Sequence, residues 1–126
     1  MRPQRNGSGP AAWWAEARGR RSIYITATLA LVLTLVAANV PGKTTATYPD
    51  IMGCEQSCEV AASGLPVPFI ADYPGLSPVN SADLMGAILG LDRVLWGRAA
   101  LAFAFWLVVS MVVVWVAGRV RTRGAV

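Results

Sequence analysis

Two long apolar stretches, Ile23–Val40 and Ala99–Gly118, stand out from an otherwise mixed chain, and neither holds a charged residue. At about 1.5 Å of rise per helical residue they reach about 27 and 30 Å, the thickness of a bilayer's hydrocarbon core. In lipid only helices and closed barrels satisfy every backbone group, and these runs lack the alternation of barrel strands. The pattern predicts an all-α membrane protein: a two-transmembrane-helix hairpin with a small irregular, partly helical extracytoplasmic cap. Its segments are a basic arm (1–22), a first span (23–40), the cap (41–98), a second span (99–118) and a basic tail (119–126). The first run reads as a retained anchor rather than a cleaved signal. It exceeds the usual apolar core of about 7–15 residues, and Ala37-Ala38-Asn39 gives no clean A-x-A site.

The cap has its own pattern. Leu84, Ile88, Leu91 and Leu95 repeat at helical spacing, which predicts an amphipathic helix over 81–96, capped by Asn80 with Asp83 in its first turn. Gly64-Leu65-Pro66-Val67-Pro68-Phe69 is expected to be extended, because each proline fixes its own φ and biases its predecessor away from helix. Asp72-Tyr73-Pro74-Gly75 has the Pro-Gly centre of a type II turn. The proline strip reads either as a recognition surface or as a rigid connector between short helices, the connector being the simpler account.

Charge sets the expected orientation. The arm carries five arginines against Glu16 and the tail three arginines, whereas the cap carries six acids against Lys43, Arg93 and Arg98. Arginine flanks stay on the cytoplasmic side, so both termini are expected in the cytoplasm of a bacterial inner membrane, with 41–98 outside. Because the basic residues sit at span flanks, the high pI does not point to nucleic acid. Histidine is absent, which removes the commonest metal ligand and general base and any Ser–His–Asp triad.

Several residues are candidates for contact with partners. Trp13 and Trp14 beside arginines suit the headgroup zone, as a short helical foot after Pro10. Thr26, Ala30, Thr34 and Ala38 form a small-residue stripe on one helix face, with Ala100 and Ala104 of the second span as its expected internal neighbours. Pro66, Pro68 and Phe69 belong to the proline strip. Phe103 and Trp106 lie in the aromatic second span, where the Trp106 indole N–H at mid-membrane depth calls for a partner.

Cys54 and Cys58 are the only cysteines. An even count on an oxidising side suggests one disulfide, and the spacing would place both on one helix face with Cα atoms about 6 Å apart. Free thiols, a redox pair and a metal site are the other readings. C-x-x-x-C departs from the C-x-x-C of thiol oxidoreductases, and two thiols without histidine make a poor ligand set.

The run Cys54…Cys58…Gly64-Leu65-Pro66-Val67-Pro68-Phe69…Asp72-Tyr73-Pro74-Gly75…Ser77-Pro78, followed by an apolar helix, resembles small uncharacterised bacterial two-helix membrane proteins with a G-[F/L]-P-x-P-[F/W]-like segment on the outer face. The resemblance spans about residues 50–110 and implies the topology, with no activity attached. The expected role is a non-catalytic accessory subunit of a larger membrane complex, respiratory or photosynthetic in type. Lipid and partner subunits are its expected contacts, without cofactor or small-molecule substrate. The alternative is a thiol-redox or other small membrane enzyme using Cys54 and Cys58. A transporter or channel element ranks last, since neither span holds an ionisable residue.

Overall fold

The computed structural model describes residues 10–74 and 81–124, with side chains from Arg18 onward. Two helices frame it: α1, Pro10–Ala37, and α3, Trp96–Arg123. Both are long and apolar enough to cross a membrane. The expected foot is not a separate element, because the helix begins at Pro10 and runs on through Ala37. Pro10 suits a first helical position, where its missing N–H costs nothing. The helix stops short of Val40, where Pro41 opens a strand.

Between the helices lies a sheet that the sequence pattern did not announce. Strands β1 (Pro41–Ala46), β2 (Cys58–Ser63), β3 (Ile70–Asp72) and β4 (Asp92–Val94) pair antiparallel in the order β1-β2-β3-β4. The all-α expectation is therefore corrected to a helix pair carrying a small antiparallel meander. The strands escape a hydrophobic-period reading because they are short and, apart from Val60 and Ile70, their buried positions are filled by Ala, Ser and Asp.

The helix expected over 81–96 shrinks to α2, Leu84–Ile88. Asp83, rather than a first-turn residue, is its N-cap and accepts from the Gly86 N–H at 2.6 Å. Gly90 has φ +74°, a left-handed value that turns the chain out of the helix and into β4. Asn80 and the Gly75 half of the expected turn lie outside the described residues.

Two small cores hold the parts together. One face of the sheet meets the helix ends: Ala38, Phe69, Ile70 and Ala102 are buried together, with Leu84 and Ala87 of α2 against them. The other face is roofed by the β1–β2 connection. There Tyr48, Cys54, Val60 and Ala71 form a second cluster. Ile70 and Ala71 point to opposite faces, as successive strand residues do.

Candidate functional site

The helix pair accounts for the small-residue stripe. Thr26, Ala30 and Ala38 are buried, and Thr34 is half-buried. The Thr26 and Thr34 hydroxyls donate to the Ser22 and Ala30 carbonyls one turn back, so neither is left unpaired. On α3 the inward positions are Ala102 and Ser110, both at 0% exposure. Ala100 and Ala104 are exposed, which corrects the expected pairing: the inward face of α3 is rotated away from them. Toward the basic ends an apolar groove of about 820 Å³ runs between the helices, with Thr26, Phe103, Met111 and Trp115 in its walls. The Arg119 guanidinium lies 4.2 Å from the Trp115 ring centroid. Trp13 and Trp14 fall in the first turns of α1, and their side chains lie outside the described residues.

The proline segment connects β2 to β3 and bends rather than running straight. The Leu65–Pro66 peptide is cis. Gly64, at φ +124°, leaves space that the Phe69 ring occupies. Phe69 is consequently buried in the chain's own core, whereas Pro66 is exposed and Pro68 half-buried. The Trp106 indole finds its partner within the chain, donating to the Leu65 carbonyl at 3.0 Å.

Cys54 and Cys58 form a disulfide, with Cα atoms 4.8 Å apart. The bridge does not sit on a helix face. It closes the turn that leads into β2, beside Tyr48, and Cys54 is buried. Tyr48 plugs this turn. Its N–H donates to the Cys54 carbonyl, and its hydroxyl donates to the Asp72 carbonyl at 2.7 Å. Its ring meets Tyr73 edge-on at 4.8 Å. Burial pushes the Tyr48 hydroxyl above the usual phenol range.

The most unusual chemistry in the cap is a pair that sequence reasoning passed over. Asp72 and Asp92 are directly opposite each other on β3 and β4, so their side chains share one face. Asp72 is 1% exposed and Asp92 is 8% exposed. Both carboxylate oxygens of Asp72 and one of Asp92 lack a hydrogen-bond partner. The other Asp92 oxygen accepts from the Asp83 N–H at 3.1 Å. A Cβ at Gly86 would run into the Asp92 carboxylate, so glycine makes room for it. Burial, reinforced by the neighbouring acids, raises Asp92 above the ordinary carboxylate range, although the Asp83 N–H opposes that shift. Asp92 is therefore a carboxyl that can hold a proton. Among the described residues, no group of three or more His, Cys, Asp or Glu is placed to hold a metal ion. In sequence these aspartates looked like ordinary surface acids, and only the strand register brings them together.

Several large apolar side chains on and near α2 and at the start of α3 are uncovered. Met85, Ile88 and Leu89 on and after α2 are exposed by 62–70%, and Trp96 by 79%. No protein-family model matches the chain, and no curated protein or solved structure matches it.

Proposed function

We propose that the chain is a non-catalytic accessory subunit of a larger bacterial membrane complex, respiratory or photosynthetic in type. In this reading it sits in the inner membrane with both termini in the cytoplasm and residues 41–98 outside. The observation that carries the reading is the exposure of Met85, Ile88, Leu89 and Trp96. The chain buries its small-residue stripe internally, yet leaves these large side chains uncovered on a cap braced by a disulfide. Large apolar side chains grouped on one short helix, as Met85, Ile88 and Leu89 are on and after α2, are a mark of a docking face. The Arg/Lys distribution supports the orientation.

The test is isolation of the tagged full chain in mild detergent. A stoichiometric large membrane complex is expected. Leu89→Asp should release the chain from that complex while leaving its own thermal unfolding in place. Recovery of only a monomer or homodimer would overturn the proposal. The thiol-redox alternative has less behind it, because Cys54 is buried against Tyr48 rather than presented to a substrate. Replacing both cysteines by serine should leave co-isolation intact.

A further inference from the structure

We infer that the Leu65–Pro68 loop inserts into the outer leaflet beside α3, as a lipid-facing hook pinned by the Trp106 indole. This rests on the two-span reading above. Arg98 marks the outer edge of the second span: its guanidinium donates to the Thr44 hydroxyl, midway along β1. Trp106 lies eight residues further along α3, about 12 Å deeper. Helical side chains lean toward the N-terminus, so the indole points back up toward the outer surface. It meets the Leu65 carbonyl there. The loop tip therefore sits between the levels of Arg98 and Trp106, at the polar–apolar boundary of the outer leaflet.

The end of α1 agrees with that depth. Ala38 packs with Ala102, one helical turn below Arg98, so α1 stops lower than α3 begins. The Gly64 N–H donates to the Val40 carbonyl just beyond that end. The sheet thus starts below the outer edge of the span, and the β2–β3 loop hangs lower still.

The composition suits such a place. Irregular backbone that faces lipid is excluded from the hydrocarbon itself, so the loop belongs at the glycerol level, and it carries few free donors to that level. Pro66 and Pro68 have no N–H to satisfy. The Gly64 and Phe69 N–H groups are taken by the Val40 and Ser63 carbonyls. The Leu65 carbonyl is taken by Trp106. The N–H groups of Leu65 and Val67 and the carbonyls of Pro66, Val67 and Pro68 remain; at the glycerol level lipid ester carbonyls accept from the former and interfacial water donates to the latter. The side chains that face outward are apolar: Leu65 is 42% exposed, Val67 37%, and Pro66 is also exposed.

The experiment places a nitroxide at single introduced cysteines in the full chain, with the native disulfide intact, in phosphatidylcholine nanodiscs. Position 67 is compared with 52, at the exposed turn, and with 112, on the outward face of α3. Collision with oxygen should exceed collision with a water-soluble nickel chelate at 67 and 112, and the reverse should hold at 52. A chelate-dominated signal at 67 with a lipid-like signal at 112 overturns the hook and leaves the two-span reading standing. A chelate-dominated signal at 112 overturns the two-span reading itself. In Trp106→Phe the label at 67 should move toward the aqueous response. An unchanged response there overturns the role of the indole as the pin.

Discussion

Charged residues meet opposite circumstances at the two ends of the sheet. On β1 and β2, Lys43 and Glu59 stand in water and pair at 2.8 Å. On β3 and β4, Asp72 and Asp92 are buried opposite each other, with three of their four carboxylate oxygens unpartnered. The first arrangement is inexpensive and nearly without energetic weight, and a lysine on the edge strand β1 also discourages pairing with another chain. The second is costly, and it persists because its surroundings over-determine it. Gly86 vacates the space, the Asp83 N–H fixes one oxygen, and the strand register leaves neither side chain an exit. Where a small protein tolerates such a cost, titration rather than packing is the property to examine.

The largest effect is expected from closing the space at Gly86. In Gly86→Ala the new methyl meets the Asp92 carboxylate, so α2 or β4 must shift, at a cost of about 3 kcal/mol. Thermal unfolding in detergent measures it. Combining it with Asp92→Ala should recover most of the loss, and simple additivity of the two would break the account. Next is Asp92→Asn, expected to stabilise by about 1–2 kcal/mol at neutral pH, because a neutral amide can donate to Asp72. The sign with pH follows from the raised Asp92 value: the folded state binds the proton more tightly than the unfolded one. Wild-type stability should therefore fall as pH rises from the unfolded carboxyl value through the folded one. The Asn variant should lose that slope, and a slope that survives would locate the titration elsewhere. The smallest effect is at the other end. Lys43 lowers Glu59 by a hydrogen bond and by its charge, yet both are fully exposed. Lys43→Ala should leave the unfolding temperature unchanged within error while the Glu59 carboxyl, followed by NMR, titrates higher. A clear loss of stability would erase the contrast between the two ends.

The helices were legible because nothing competes with a charge-free run of that length. The buried stripe on α1 was legible for a related reason, since small residues at four-residue spacing can only form a face. Its neighbour was misjudged by the rotation of α3, which Ala100 and Ala104 could not reveal among so many other small and aliphatic residues. The meander was not legible. Pro41–Ala46 and Cys58–Ser63 hold few large apolar residues, and Ile70–Asp72 and Asp92–Val94 are too short to show a period. The leucine repeat through Leu95 was real as a pattern, but Gly90 broke it, with the last leucine serving the roof cluster instead. Asp72 and Asp92 were invisible because burial of an acid is a property of the fold, and the residue type argues the other way.

The sequential order of the strands bears on how the molecule is assembled. Every strand pairs with the next one in the chain, so no pairing waits for a segment made much later. What does wait is the final helix. Until α3 arrives, Ile70 and Phe69 lack Ala102 beneath them, and the Leu65 carbonyl lacks its donor. During synthesis, then, the sheet precedes its own floor, and the arrival of α3 is the event that locks it.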